Sequence, residues 1–277
     1  MQLKLVILSA LERLAALARR LRLGFLVDAL APHLSRPFER FALDVGGVRL
    51  HGTDLAQLHY VRELAEQGRE RTFVELLAND IPRGGVVLEG GAHLGFITVH
   101  AARAVGPEGR VIAFEPNGSV HNVLRANLEE NGVAERVDIV PFALGERTGK
   151  ARFYASGDTS SLFGPSSAAA TVEVDVVRGD EAVSGPVDLV KLDVEGAEVA
   201  ALRGMEGLLA NGGPRALFVE CHPKLLDQAG SSRDELLAWL RGAGYEVAWI
   251  DEPSRRLAPL SEPWSGDYVN LRCLRPT

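Results

Sequence analysis

The sequence predicts an α/β fold in which a mostly parallel β-sheet is covered by helices on both faces. Short apolar segments such as Val86–Glu89 and Ala216–Glu220 lack polar alternation, which is typical of strands buried on both faces. Segments with helical spacing, such as Leu94–Val105, lie between them. The chain has 277 residues, of which 46% are hydrophobic, so it can bury a full core.

The predicted strands alternate with helices, as parallel βαβ units require. The strands are Val86–Glu89, Val111–Glu115, Val137–Pro141, Val187–Asp193, Ala216–Glu220, Tyr245–Ile250 and Tyr268–Leu274. The helices are Leu94–Val105, Ser119–Asn131, Ala197–Ala210 and Ser232–Ala243, with an earlier helical stretch over Leu55–Leu77. The stretches "KARFYAS" and "ATVEVDVV" predict an extra antiparallel pair, joined by a small-residue loop over 157–170 that is either a connector or a lid.

The segment before this alternation, residues 1–80, is predicted to be an extension of the main domain, which spans 81–277. Residues 1–40 carry seven basic and three acidic side chains, and the first thirty have one charged and one apolar helical face. Such a helix packs on its own domain or on a partner subunit, or it contacts a membrane surface. The stretch "FALDVGGVRLHG" then predicts a β-hairpin that turns at Gly46 and Gly47.

Composition narrows the class of protein. The formal net charge of −7 argues against a general nucleic-acid binder, because such proteins neutralise phosphates with basic residues. Cys221 and Cys273 show no CxxC spacing and cannot form a disulfide framework, which favours a reducing, cytoplasmic location. No transmembrane span is expected.

A glycine-rich turn, "VVLEGGAHLGF", follows the first strand of the main domain, which is where open parallel sheets bind ligands. Gly91 permits a tight turn, and Gly95 permits close approach of a ligand or of the next helix. The turn has neither the P-loop spacing nor the full GxGxxG fingerprint. Glu89 would repel a pyrophosphate but suits a ligand with an amine and a sulfonium.

The second strand ends in "VIAFEP", which places Glu115 26 residues after Glu89. This is close to the offset of roughly 20 residues at which an acid accepts hydrogen bonds from ribose hydroxyls. A site for a ribose and an amino acid, without a phosphate cradle, predicts S-adenosylmethionine as the ligand.

Five stretches together resemble the FkbM family of S-adenosylmethionine-dependent methyltransferases. They are "VVLEGGAHLGFITVHAA", "GRVIAFEPNGSVHNVLRANLEENG", "VDIVPFALGE", "DLVKLDVEGAEVAALRGM" and "ALFVECHP", within about residues 73–250. The family commonly has Asp at the position of Glu89 and Asn at that of His93. The resemblance implies a class I methyltransferase fold of seven strands, with "DYVNLRCLR" inserted antiparallel, and methyl transfer, usually to oxygen, on sugars, polyketides or other secondary metabolites.

The resemblance and the strand positions together give the candidate cofactor-binding residues. They are Glu89, Gly91, Ala92, His93, Gly95, Phe96, Glu115, Pro116, Asn117, Asp138, Ala143, Leu144 and Asp193. Ala143 and Leu144 lie where the family places the adenine. Glu75 matches an acid that precedes the first strand in the family, and it either approaches the methionine end of the donor or caps a helix.

The candidate catalytic residues follow the fourth and fifth strands. "KLDVEGAE" supplies Asp193 and Glu195, and "VECHP" supplies Glu220 and His222. His222 is a candidate general base because its ordinary pKa lies near neutrality, and Glu220 orients it or acts itself. In an alternative mechanism, Asp193, Glu195 and Glu220 hold Mg²⁺. We do not favour this mechanism, because His222 stands where a magnesium site would have a hard oxygen ligand.

Two further alternatives stay open. The carboxylates could be structural, with Lys191, Asp193 and Glu198 forming a buried ion-pair network that shapes the turn. The chain could also be an inactive methyltransferase-like binding or scaffold protein. An NAD-dependent oxidoreductase fits less well, because "KLDVEGAE" has no role in one. The expected partner is a small-molecule or glycoside acceptor, with a homo-oligomer or membrane contact through the N-terminal helix.

Overall fold

A computed structural model describes Arg20 and residues 40–67, 70–154, 171–210, 212–264 and 266–276. The predicted N-terminal helix, apart from Arg20, and the loop over 157–170 lie outside these residues. No helix of the described part is long and apolar enough to cross a membrane.

The central sheet has eight strands, which are β3 Val86–Gly90, β4 Arg110–Phe114, β5 Val137–Val140, β9 Leu189–Leu192, β10 Ala216–Cys221, β11 Glu246–Asp251, β12 Arg256–Pro259 and β13 Val269–Leu274. Their order in the sheet is β12-β11-β13-β10-β9-β3-β4-β5. Strands β5, β4, β3, β9 and β10 are mutually parallel, and β13 lies antiparallel between β10 and β11. This topology confirms the predicted fold class and the antiparallel insertion.

The prediction of seven strands missed β12. This strand has only four residues, two of which are exposed, so it presents no buried apolar run in the sequence. It forms by antiparallel pairing with β11 at the edge of the sheet.

The helices lie between the strands. They are α1 Leu55–Gln67, α2 Arg71–Asp80, α3 Phe96–Val105, α4 His121–Glu130, α5 Gly179–Ala182, α6 Glu198–Arg203, α7 Pro223–Gln228 and α8 Arg233–Gly242. The single helical stretch predicted from Leu55 is two helices in the structure. Glu70, at the start of α2, has a φ of 66°, and this left-handed conformation is incompatible with a continuous helix.

The predicted hairpin is present as β1 (Phe41–Val45) and β2 (Val48–Gly52), with Gly46 and Gly47 at positive φ in its turn. Its inward face shares one hydrophobic cluster with α1, α2, α3 and the first strands of the sheet. Residues 41–80 therefore pack directly on the sheet domain, and the division at residue 80 stays a prediction.

The predicted antiparallel pair is also present, as β7 (Gly149–Tyr154) and β8 (Thr171–Val177). The short strand β6 (Ala143–Leu144), which we did not predict, pairs parallel with β8 and completes a three-stranded sheet. Phe153 and Val174 pack with Ala143 in a small core of their own. This sheet stands beside the carboxyl ends of the central strands.

Candidate active site

A cavity opens at the carboxyl ends of β3, β4, β9 and β10, where the strand order reverses between β3 and β9. Its lining comes from the loops that follow these strands, from α1 and the turn before α2, and from the three-stranded sheet. The lining residues are Tyr60, Glu63, Glu70, Glu89, Gly91, Ala92, His93, Ile97, Phe114, Glu115, Pro116, Asn117, Phe142, Ala143, Leu144, Phe153, Lys191, Asp193, Val194, Glu195, Ala197 and Glu220.

The glycine turn after β3 is shaped by contacts within the protein. Gly91 has a φ of 82°, and a Cβ there would overlap the backbone carbonyl oxygen of Asp193. Gly95 has a φ of 87°, and a Cβ there would lie 2.7 Å from the Leu124 Cδ1 atom on α4. Gly91 thus lets the turn meet the end of β9, and Gly95, which does not line the cavity, lets one helix approach another.

Glu115 holds two loops in place at the end of β4. Its Oε2 accepts a hydrogen bond of 2.7 Å from the backbone N–H of His93, and its Oε1 accepts one of 2.8 Å from the backbone N–H of Asn117. Burial raises the pKa of Glu115, and these two hydrogen bonds oppose the rise. Each carboxylate oxygen retains a lone pair, so the group can still accept hydrogen bonds from a diol in the cavity.

A buried ion-pair cluster lies between the glycine turn and β9. The Lys191 Nζ atom lies 3.7 Å from Glu89 Oε1 and 3.6 Å from Asp193 Oδ2, and it donates a 2.9 Å hydrogen bond to the Gly91 carbonyl. Burial lowers the pKa of Lys191, but the two carboxylates outweigh it, so the pKa is raised. Lys191 is therefore a cation that ties the ends of β3 and β9 together.

Glu89 has no hydrogen-bond partner for either carboxylate oxygen among the described residues, although it is 1% exposed. Burial raises its pKa, and the nearby Lys191 opposes the rise. Buried polar atoms without hydrogen-bond partners are rare in native proteins, and one explanation for them is the binding of a ligand or ion.

Glu220, at the end of β10, is the second such carboxylate. It is 9% exposed, it lines the cavity, and its Oε2 has no hydrogen-bond partner among the described residues. Burial raises its pKa well above the ordinary range, and the charges of Asp193 and Glu195 raise it further. Glu220 thus combines access to the cavity with an unusually basic carboxylate.

Glu198 shapes the loop that carries Asp193 and Glu195. Its Oε1 accepts hydrogen bonds of 3.1 and 3.2 Å from the backbone N–H groups of Val194 and Gly196. Burial raises its pKa to about 7. The structural role considered for Glu198 from the sequence agrees with these contacts, since its side chain turns to the loop backbone and does not line the cavity.

His222 is not among the residues that line the cavity. Strand β10 ends at Cys221, and His222 begins the turn into α7. Its ring stacks on Tyr268, with 6.1 Å between ring centroids, and burial lowers its pKa. The geometry brings Asp193, Glu195 and Glu220 together without His222, whose role as a general base stays a prediction.

Three predicted cofactor residues also lie outside the lining. Asp138 forms an ion pair with Arg110 at the amino end of β4, which turns it away from the cavity. Phe96 is buried in the core with its ring edge against His100, and Gly95 packs on α4. The other ten, Glu89, Gly91, Ala92, His93, Glu115, Pro116, Asn117, Ala143, Leu144 and Asp193, line the cavity.

Sequence reasoning missed the wall formed by α1 and by the turn before α2. Tyr60 contacts the His93 ring edge-on, with centroids 5.0 Å apart, and Glu63 and Glu70 lie on the same wall. Glu75, for which the sequence left open an approach to the donor or a helix cap, is half-exposed and pairs with Arg255. The helical pattern alone could not show which face of α1 meets the cavity.

Backbone strain marks the same site. Four non-glycine residues of the described chain have positive φ, and three of them, Glu70 (66°), His93 (47°) and Glu195 (54°), line the cavity. Such conformations cost energy and cluster at functional sites. The family position of His93 commonly holds Asn, and both residues tolerate this conformation better than most.

These features define a class of site. An acid at the end of β4, a glycine turn without a phosphate cradle and buried carboxylates with oxygens that lack hydrogen bonds within the described chain fit S-adenosylmethionine, whose amine and sulfonium are cationic and whose ribose is a diol. Glu115, which the sequence predicts to bind the ribose, and Glu89 both line the cavity. Among the described residues, no group of three or more His, Cys, Asp or Glu side chains has the arrangement of a metal site.

The fold is that of class I S-adenosylmethionine-dependent methyltransferases. The family model described as "Methyltransferase FkbM domain" matches residues 89–247, more than half of the chain. The chain therefore belongs to the FkbM methyltransferase family, as the sequence motifs predicted.

Known proteins of related sequence and structure were also found. A catechol O-methyltransferase of Mycobacterium tuberculosis is 41% identical over 91 residues, which is 33% of this chain and 40% of that protein. An FkbM methyltransferase of Methylobacillus flagellatus is 18% identical, with a TM-score of 0.44, over 68% of this chain and 43% of its own. A protein described as a putative rRNA methylase of Clostridium thermocellum is 13% identical, with a TM-score of 0.49, over 74% of this chain and 96% of its own.

Proposed function

We propose that this chain transfers a methyl group from S-adenosylmethionine to a hydroxyl group of a small molecule, such as a sugar, a polyketide or another secondary metabolite. The observation that carries the proposal is Glu220, a buried carboxylate with an unpartnered oxygen on the cavity wall. S-adenosylmethionine supplies a methyl group on a sulfonium that is already activated, so the protein must align the acceptor and remove its proton.

Glu220 is suited to accept that proton. Its raised pKa makes the ionised form a stronger base than an ordinary glutamate, because burial and the neighbouring carboxylates disfavour its charge. General-base catalysis improves as the pKa of the base approaches the working pH. A hydroxyl needs such help more than an amine, whose nitrogen has a free lone pair once it is deprotonated.

The remaining residues position the two reactants. Glu115 fixes the loops that hold His93 and Asn117, and it would accept hydrogen bonds from the ribose. Lys191 keeps the glycine turn against the end of β9 through the Gly91 carbonyl. Ala143, Leu144 and Phe142 offer apolar walls that suit a flat base.

The first test is ligand binding by calorimetry. We expect S-adenosylhomocysteine to bind with a micromolar dissociation constant and NAD not to bind, because the cavity has no phosphate cradle. The reverse preference would overturn the cofactor assignment.

The second test is turnover. The protein is incubated with a methyl-labelled donor and a panel of glycosides and macrolides, and the products are analysed by mass spectrometry. We expect label on an acceptor oxygen and equal release of S-adenosylhomocysteine, with both strongly reduced in Glu220→Gln. Tight donor binding without transfer to any acceptor would favour the alternative of an inactive binding protein.

A further inference from the structure

Helix α2 begins at the cavity wall without a cap from its own first residue. Glu70 occupies the N-cap position with a φ of 66° and lines the cavity, and its side chain makes no capping hydrogen bond within the described chain. The first backbone N–H groups of a helix have no partner inside the helix. Thr72 and Phe73 are buried, so their N–H groups need a partner elsewhere in the protein.

Glu252, in the turn between β11 and β12, is that partner. Its Oε2 accepts a hydrogen bond of 2.9 Å from the backbone N–H of Thr72, and its Oε1 accepts one of 2.7 Å from the backbone N–H of Phe73. A carboxylate at a helix N-terminus also interacts favourably with the helix dipole. Glu252 and Thr72 are 180 positions apart in the chain, so this cap exists only in the folded protein.

The remainder of α2 is fixed by other contacts. Asp80, its last residue, accepts hydrogen bonds of 2.6 and 2.7 Å from Arg272 on β13. Leu77 is fully buried in the core. Loss of the Glu252 side chain should therefore loosen the first turn of α2 and leave the rest of the helix in place.

The first turn carries Glu70, which lies near the glycine turn. Burial lowers the pKa of Lys191, and Glu70 is one of the carboxylates that raise it, so Glu70 lies near the cation that holds the Gly91 carbonyl. A left-handed conformation in a glutamate costs energy and persists only where the surrounding structure maintains it. The hydrogen bonds to Glu252 fix the backbone that directly follows Glu70.

We propose that Glu252 is a positioning residue for the donor site, which acts by holding the first turn of α2, and with it Glu70, on the cavity wall. Glu252 itself lies outside the cavity lining. The inference rests on the donor binding that the proposed function requires, and it assigns a role to the turn between β11 and β12. Without the cap, a ligand that packs on this wall must first order it, which weakens the apparent affinity.

The test is a double-mutant cycle on the dissociation constant of S-adenosylhomocysteine, measured by calorimetry. Glu252→Ala should weaken binding by about two- to thirtyfold, which is the range that corresponds to the loss of a helix cap. Glu70→Ala removes the side chain from the wall and should also weaken binding. The double variant should bind no more weakly than Glu252→Ala alone, because Glu252 acts through Glu70.

Two further variants separate positioning from general stability. Asp80→Asn weakens the attachment of the same helix at its other end, outside the cavity. It should lower the free energy of unfolding in urea, as Glu252→Ala does, but keep the wild-type affinity for S-adenosylhomocysteine. Glu252→Gln keeps one oxygen that can accept a hydrogen bond, so it should bind more tightly than Glu252→Ala.

The outcomes separate this inference from the proposed function. If the wild type does not bind S-adenosylhomocysteine, the proposed function fails and the inference fails with it. If the wild type binds and Glu252→Ala binds equally well, or if the effects of Glu70→Ala and Glu252→Ala add, the inference alone is overturned. An equal loss of affinity in Asp80→Asn would also contradict it, since destabilisation of α2 would then explain the effect. If Glu252→Ala does not fold, Glu252→Gln replaces it in the cycle under the same criteria.

Discussion

The Oε2 atom of Glu115 lies 2.7 Å from the backbone nitrogen of His93 and accepts a hydrogen bond from it. This bond joins the end of β4 to the glycine turn after β3. Because Asn117 donates to the other oxygen, one side chain organises both loops that the donor must contact. The acid predicted to bind ribose therefore also builds the wall on which ribose would lie.

Replacing Glu115 should affect donor binding strongly. Glu115→Ala is expected to weaken S-adenosylhomocysteine binding by about 1.5–3 kcal/mol, because hydrogen bonds to a charged group are lost. Calorimetry measures the change. Asp138→Ala is the control, since Asp138 pairs with Arg110 outside the cavity. The affinity of this variant for S-adenosylhomocysteine should equal that of the wild type. Unchanged binding in Glu115→Ala would remove Glu115 from the site.

The backbone conformation of His93 predicts which residues can replace it without loss of stability. Its φ of 47° is left-handed, and its backbone N–H serves Glu115. His93→Asn should retain stability and S-adenosylhomocysteine affinity, because Asn tolerates this conformation. His93→Val should lower the free energy of unfolding by about 1–2 kcal/mol, since a β-branched residue is disfavoured there. Denaturant unfolding decides the matter, and equal stability of the two variants would contradict it.

The fold was predictable because its signals are local. Apolar strand segments such as Ala216–Glu220 and the helical spacing of Leu94–Val105 need no distant partner to be recognised. The edge strand Arg256–Pro259 was missed because it exists only through pairing with β11. The break at Glu70 was missed because positive φ in a glutamate leaves no trace in the composition of the segment.

The candidate site was predictable where it depends on strand ends. Glu89, Glu115, Asp193 and Glu220 lie at the carboxyl ends of four neighbouring strands, so a parallel sheet brings them to one edge. Directions of individual side chains were not predictable. His222 follows Glu220 by two residues, yet it precedes α7 as its N-cap and stacks on Tyr268, because β10 ends between them.

The pH dependence of turnover should identify the base. A base must be ionised, so kcat should rise with pH through the raised pKa of Glu220 and become constant above it. Glu220→Gln should lower kcat by about 10²–10⁴-fold and remove the rise of kcat with pH. His222→Ala should retain this rise, since His222 does not line the cavity. If the rise disappears in His222→Ala alone, the histidine is the base.

The same assay tests the magnesium alternative. With Glu220 as a proton acceptor, a chelator should leave kcat unchanged. A site in which Asp193, Glu195 and Glu220 hold Mg²⁺ would instead lose turnover with the chelator and regain it with added Mg²⁺. That result, together with an undiminished rate in His222→Ala, would establish the metal mechanism.

Glu198 should make stability depend on pH. The pKa of Glu198 rises from 4.5 to about 7 on folding. Its contribution to the free energy of unfolding is therefore fully present below pH 4.5 and is lost as the pH rises through 7. The loss is on the order of 3 kcal/mol. Glu198→Gln keeps an oxygen for the Val194 and Gly196 N–H groups, so the variant should gain stability over the wild type across this window. Unfolding in urea from pH 4 to 8 measures the difference, and a constant difference would contradict the assignment.

Donor binding should also be linked to proton release. Burial raises the pKa of both Glu89 and Glu220, so the free protein holds protons on cavity carboxylates at pH values where ordinary glutamates are ionised. A sulfonium favours the ionised carboxylates, so affinity for S-adenosylmethionine should increase with pH until these groups are ionised. S-adenosylhomocysteine has an uncharged sulfur, so its affinity should depend less on pH.

Calorimetry in buffers of different ionisation enthalpy counts the protons released on binding. Glu89→Gln should reduce the difference between the two ligands, whereas Glu75→Gln should preserve it. Equal proton release for both ligands would show that the sulfonium does not lie near these carboxylates.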